Sequence, residues 1–431
     1  MTKIRRRSAA AGRYRKGIAM GAAPVRLSLF SAYFLFAILL NSVGTVILQS
    51  IATFGVSKED ASILEAFKDL PIAVVSFLVA SFLPRLGYAR AMMAGFATVC
   101  AACLIMPLAP SFATTKLLFF AVGSSFALVK VSVYSTIGLL TKDSSGHASL
   151  LNLIEGFFMI GVLAGYWLFS AFIDPGDPGS GRWLQVYWLL AALAAANVAI
   201  LALTKFPPTP VGDRGDGAGR DFAEMLALMW RPSVIVFVIS AFLYVLIEQG
   251  IGTWLPTFNN EVLHLPQTMS VQATSIFAAA LAAGRLGAGV ILRRLDWYWL
   301  LNACVVGMGA LIILTLPATR SLEPQSDLSW ASAPLAAFIL PMIGLFLAPV
   351  YPAINSVILS SLPRARHAAM AGLIVVFSAL GGTTGSFVTG QTFARFGGET
   401  AFMLSLAPMA ALLLALAVLR RLTVTATEVG K

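Results

Sequence analysis

The sequence predicts an all-α integral membrane protein whose helices fall into two groups of six. Three observations carry this. The 431 residues are 58% hydrophobic and only 11% charged, whereas soluble domains carry about a quarter charged residues. The mean hydropathy is +0.85. The apolar residues are gathered into runs of roughly 20, the length that crosses a bilayer as a helix. A membrane β-barrel would instead show alternating segments of about ten.

The elements follow in order. Residues 1–27 form a basic segment holding eight Lys or Arg, "MTKIRRRSAAAGRYRKG" among them. The apolar run that begins near Ser28 is too long for the core of a cleavable leader, so it reads as the first span. Twelve spans are expected: 28–52, 62–84, 88–108, 116–139, 149–173 and 183–204, then 232–257, 271–292, 297–317, 333–361, 367–392 and 400–419. Inside lipid the backbone must bond to itself, so each is a helix. Residues 28–204 make a first six-helix bundle, and 232–419 a second. The linker 205–231 between them is rich in Pro and Gly, and its stretch "DFAEMLALMW" suits a short amphipathic helix on the membrane surface. Residues 420–431 form a tail.

The loops fix an orientation. With the N-terminus cytoplasmic, 22 of the 30 Lys and Arg fall on the cytoplasmic side, five outside and three within spans. That bias predicts cytoplasmic N- and C-termini in a cell inner (plasma) membrane. It also explains the net charge of +11 as a topology signal rather than a nucleic-acid surface.

Several function classes are set aside. Cys100 and Cys103 form a CxxC in "ATVCAACLIM", an apolar run without neighbouring His, and read as small packing residues. His147, His264 and His367 lie in loops without metal-ligand spacing. No GxxxxGK[ST] phosphate loop occurs, so nucleotide-driven pumping is not expected. No enzyme activity and no cofactor are expected. The expected partners are a small-molecule solute, protons and the lipid bilayer, and the expected state is a monomer.

Ionisable groups inside spans cost roughly 2.5–3.5 kcal/mol each and are functional candidates by default. Seven are present: Glu65, Lys68, Asp69, Lys130, Glu155, Glu248 and Arg285. Lys130 lies near the middle of span four, where a cation holds an anionic solute group or a carboxylate partner. The plainer alternative is a permanent salt bridge. Tyr134, one turn on, adds hydrogen-bonding capacity. Glu65 and Asp69 are four apart and share a helix face. Glu65 and Lys68 are expected to snorkel to the outer interface, leaving Asp69 as partner of Lys130 and as proton carrier. Glu155 and Arg285 lie in the cytoplasmic halves of spans five and eight, and a pair between them would act as a gate latch. Glu248, Gln249 and Trp254 in span seven, Tyr351 and Asn355 in span ten, and Asn41 in span one are candidate solute-binding groups. For the amides, the plainer alternative is interhelical hydrogen bonding. Span ten is expected to break at Pro349 and Pro352, and broken helices often mark transport sites. Gly161, Gly165, Gly381, Gly382 and Gly385 fit close helix packing.

The halves resemble each other: "HASLLNLIEGFFMIGVLAG" (147–165) aligns with "HAAMAGLIVVFSALGGTTG" (367–385). The loop after span two, "ASFLPRLGYAR" (80–90), keeps Arg85 and Gly87 of a GxxxDRxGRR signature, with Pro84 in the acidic place. The loop after span eight, "GVILRRLD" (289–296), keeps Gly289 and Arg294. With the six-plus-six plan, the chain resembles the major facilitator superfamily along nearly its whole length. "IEQGIGTWLPTF" (247–258), "APVYPAINSVIL" (348–359), "SALGGTTGSFVTG" (378–390) and the spacing from Asn41 to Gln49 resemble its fucose permease-like group of sugar–proton symporters. The resemblance implies spans one, four, seven and ten around a central cavity, with Gln49 beside the solute. That group couples protons through carboxylates in spans one and four, where this chain has Gly44 and Lys130.

The expected function is a secondary active transporter. It would move a sugar, sugar derivative or organic anion by alternating access, with proton coupling. Its alternatives are a proton-driven exporter of drugs or metabolites and, in another class, a non-transporting receptor or scaffold.

Overall fold

The computed structural model describes residues 24–141, 144–204, 206, 227–292, 294–320, 322–323, 328–363 and 366–429. The basic N-terminus, most of the linker with its "DFAEML" portion, Lys142, Arg293 and Arg364 lie outside them. Among the described residues all regular structure is helical.

The first span is broken. Helix α1 (Pro24–Asn41) passes through a turn at Ser42 into α2 (Val43–Phe54). The Ser42 hydroxyl donates to the Leu39 carbonyl at 2.8 Å, and Asn41 Nδ2 donates to the Ala37 carbonyl at 2.9 Å. These side chains bond back to carbonyls of the last turn before the break, where the Leu39 carbonyl also accepts the Ser42 amide at 3.4 Å. Next come α3 (Leu64–Leu86), α4 (Tyr88–Leu108), α5 (Phe112–Leu140), α6 (Ser144–Phe172) and α7 (Val186–Leu203). After the linker follow α8 (Pro232–Glu261), α9 (Gln267–Ile291) and α10 (Trp297–Thr315). Span ten is broken at Pro349 as expected, though not at Pro352, and also earlier: Ala336–Ile339, a 3₁₀ turn at Leu340–Met342 and Ile343–Leu347 precede α11 (Val350–Ser360). Pro341 lies in that turn and Pro349 just before α11, each unable to donate a ladder bond. Helices α12 (His367–Leu404) and α13 (Leu406–Val429) complete the chain.

Local chemistry marks the ends. Ser111 opens α5 with a capping box through Thr114, and Asp296 opens α10 by accepting from the Tyr298 amide at 3.0 Å. Gly87, in the signature-like loop, turns α3 into α4 with φ 88°, and Gly397 kinks α12 with φ 82°. Neither conformation suits a side chain with a Cβ.

Among the described residues, ten stretches are long and apolar enough to cross a membrane. One stretch, Ala369–Leu422, holds both α12 and α13. Large apolar side chains face outward along the perimeter, Leu203, Leu286 and Leu314 among them.

Helices α3, α4, α5 and α7 pack chiefly on one another, as do α8–α13, and the groups meet where α2 lies on α8, α3 on α12 and α6 on α9. Glycines set these distances. A Cβ at Gly44 would collide with the Thr253 carbonyl, bringing α2 against α8. Gly381 and Gly385 bring α12 equally close to the Phe242 and Leu246 carbonyls of α8, and Gly161 packs on Phe34 of α1.

Candidate functional site

Between the two groups lies a cavity of about 670 Å³, its open mouth included. Helices α1, α2, α3, α6, α8 and α9 line it. Its polar wall is Asn41, Glu65, Lys68, Tyr166, Glu248, Gln249, Thr253 and Arg285. Phe158, Met159, Phe277 and Leu281 supply apolar surface.

One side of the wall is a charge cluster on the first turns of α3. The spacing Glu65, Lys68, Asp69 puts all three on one helix face. Lys68 Nζ binds Glu65 Oε1 directly, lies 3.5 Å from Asp69 Oδ1 and donates to the Leu40 carbonyl at 3.4 Å beside the break in span one. Glu65 and Lys68 are 0% and 6% exposed, so the expectation that they snorkel to the interface is corrected. The reason is packing: Gly123 of α5 lets that helix press on the Lys68 carbonyl from behind. With Lys68 between two carboxylates, the expected Lys130–Asp69 partnership is also corrected.

The cluster reaches across to the second group. The Thr253 hydroxyl lies 3.3 Å from Glu65 Oε2 and 3.1 Å from Gln249 Oε1, and its one hydrogen serves one acceptor at a time. Asp69 Oδ2 occupies the space that a Cβ on Gly382 of α12 would fill, with Gln249 on the other side.

The opposite side holds Glu248 and Arg285. Tyr244 lies beside Glu248 and stacks on Tyr351, with ring centroids 5.2 Å apart. Tyr351 pairs its hydroxyl with Ser378 at 2.8 Å and has Asn355 next to it. Tyr351 and Asn355 thus form a layer behind the cavity wall. Arg285 Nη1 faces the Met159 sulfur at 3.7 Å. Glu155 accepts instead from Tyr134 at 3.0 Å, so the expected Glu155–Arg285 ion pair is not formed in this structure. The guanidinium instead meets Met159, one turn along the same helix from Glu155.

Lys130 is not on the cavity wall. Its ammonium lies over the rings of Phe126 at 5.7 Å and Tyr134 at 5.9 Å, with Glu155 acting on it at longer range. Trp254 is fully buried and donates to the Ser386 carbonyl at 2.9 Å, away from the cavity. Gln49 Nε2 donates to Gln267 Oε1 at 2.7 Å, joining the two groups.

That bond belongs to a closed end. Lys58 Nζ meets Glu261 Oε2 at 2.8 Å, Gln272 donates to Ser170 at 3.2 Å, and Gln391 Nε2 reaches the Glu59 carbonyl at 3.5 Å. These inter-group bonds cluster where the sequence places the external loops, and the Glu65–Thr253 contact sits inward of them. Sequence reasoning missed Thr253, Tyr244 and Gln267. None is charged, and only the meeting of the groups distinguishes them. The i, i+3, i+4 spacing on α3 was the signal that could have found the cluster.

A family model of the Major Facilitator Superfamily matches residues 29–386. No curated protein matches the sequence. Solved structures with a similar fold include the nucleoside transporter NupG, with 14% identity, TM-score 0.70 and coverage of 91% of this chain and 98% of that one. A bacterial homologue of the human lysosomal transporter Spinster, inward-facing and occupied, has 16% identity, TM-score 0.69 and coverage of 95% and 97%. FucP in its outward conformation has 16% identity, TM-score 0.59 and coverage of 91% and 98%.

Proposed function

Because the chain belongs to the Major Facilitator Superfamily, and is thus a membrane transporter rather than an enzyme, we propose that it moves a small polar solute by alternating access, coupled to protons. The observation that carries this reading is the cavity between the two helix groups, lined by two acids and two bases and shut at one end by the bonds around Lys58 and Glu261. Twelve crossings, two six-helix halves and cytoplasmic termini in the plasma membrane complete the proposal. They are supported by the loop charge bias and by the helix pairs through which the groups meet. In this orientation the closed end faces outward and the cavity faces the cytoplasm. The protein works as a monomer.

Proton coupling is supported by the charge count of the α3 cluster. Two carboxylates share one ammonium there, so a single proton makes the cluster neutral. Asp69 is the proton carrier, because Glu65 is bound more directly to Lys68 and also accepts from Thr253. Sugars, sugar derivatives and organic anions form the starting solute panel.

The test uses purified protein in liposomes that contain a pH-sensitive dye. Adding a transported solute outside acidifies the lumen of wild-type vesicles. Asp69→Asn retains solute binding and loses the pH change. Solute flux with no proton movement in the wild type removes the coupling. A second reading, export of amphiphilic compounds, is favoured by the apolar surface of Phe158, Met159, Phe277 and Leu281. It predicts that a proton gradient drives such compounds out of the compartment that the cavity faces.

A further inference from the structure

Four charged side chains line the cavity, and they are not equivalent. Glu65 and Lys68 bind each other, with Asp69 completing their group. Glu248 and Arg285 remain. Among the described residues, no side chain of opposite charge lies within 4.0 Å of either. They face the same cavity from neighbouring helices, α8 and α9, and Arg285 is the leading opposite charge acting on Glu248. Yet they do not close into a pair.

We propose that this gap is the solute site, and that the solute is a zwitterion: its carboxylate sits on Arg285, its ammonium on Glu248, and an apolar body lies against Phe158 and Phe277. The proposal rests on the transporter reading and narrows its solute.

The argument is a count of charges at occlusion. When the cavity closes, its water leaves, and each charge without a partner carries a large desolvation cost. A neutral sugar leaves Glu248 with the Tyr244 hydroxyl and Arg285 with a thioether, neither facing an opposite charge in contact. A monoanion satisfies Arg285 and leaves Glu248 without a cation. A zwitterion satisfies both and adds no net charge. Arg285 is suited to its part. Its protein contact is a thioether at 3.7 Å, a weak acceptor, so the guanidinium fork is open to a carboxylate. The body of the solute then meets Phe158 and Phe277, which offer apolar surface rather than hydrogen bonds to sugar hydroxyls.

The test is binding to the full chain in detergent, measured by thermal shift and calorimetry. The probes are leucine, methionine and phenylalanine, each beside its N-acetyl derivative (anion only) and its amide (cation only), with galactose and glucuronate as controls. At least one free amino acid is expected to bind tenfold or more tightly than both of its derivatives. Glu248→Gln brings the N-acetyl acid level with the free amino acid, and Arg285→Gln does the same for the amide. Each variant is first shown to melt like the wild type. If either melts early, Glu248→Asp or Arg285→Lys replaces it and is expected to weaken the zwitterion selectively. Equal binding of a derivative by the wild type overturns the proposal, as does binding of galactose or glucuronate alone, or of no probe. In those cases solute flux in liposomes still tests the transporter reading on its own terms.

Discussion

The Thr253 hydroxyl of α8 lies 3.3 Å from Glu65 Oε2 of α3, so a buried acid of the first helix group touches the second group at the level of the cavity. This contact connects the charge cluster to the closed end around Lys58 and Glu261, the outer end in the proposed orientation. Thr253→Val keeps the shape and removes the donor. It is expected to favour opening at that end by about 1 kcal/mol, the worth of one hydrogen bond. Labelling of a single cysteine placed near Lys58 reads the shift. An unchanged labelling rate would detach the cluster from the gate.

Lys68 and Lys130 are expected to differ sharply in what their removal costs. Lys68→Met leaves Glu65 and Asp69 facing each other without a cation, a loss of ~3–5 kcal/mol. The double change with Glu65→Gln recovers much of it. Lys130→Met leaves Glu155 still bonded to Tyr134 and removes chiefly two contacts over rings, worth about 1 kcal/mol. Melting temperatures in detergent rank the three variants. A Lys130 variant less stable than the Lys68 variant would reverse this account.

Gly44→Ala places a Cβ against the Thr253 backbone carbonyl, which no side-chain rotation relieves. The strain, about 1–3 kcal/mol, acts only while the outer end is closed. The substitution is therefore expected to shift the protein toward opening there, with increased outer cysteine labelling and lowered transport. Gly138, around which no such neighbour lies, is the control, and Gly138→Ala is expected to be silent.

At the mouth of the closed end, Lys58 and Glu261 are partly exposed, and a pair of this kind is worth about 0.2–1 kcal/mol. Lys58→Glu or Glu261→Lys alone is expected to raise outer labelling severalfold at most. The double reversal restores it. Failure of the double variant to recover would mean that the 2.8 Å contact contributes nothing to closure.

The sequence alone determined that this chain is a helical membrane protein, where most helices run and which residues carry cost inside them. Those properties are local. Hydropathy accumulates along 20 or so consecutive residues, and each glycine or proline acts on its own turn. The superfamily was legible for the same reason, from loop signatures and the repeat of 147–165 in 367–385.

Only the tertiary structure decided the partners. The spacing of Glu65, Lys68 and Asp69 offered Lys68 local carboxylates, but sequence did not say whether Asp69 turns to Lys68 or to Lys130. Adjacent helical positions diverge by about 100°, and the choice depends on how each helix is rotated against its neighbours. Gly123, Gly44 and Gly382 set that rotation through contacts with residues far away in the chain. So Asp69 went to Lys68, Glu155 to Tyr134, and Arg285 was left facing the cavity. The Glu65–Lys68–Asp69 group lies within one local run, but that it is buried on the cavity wall, and that Glu155 meets Tyr134 rather than Arg285, are properties of packing between distant segments.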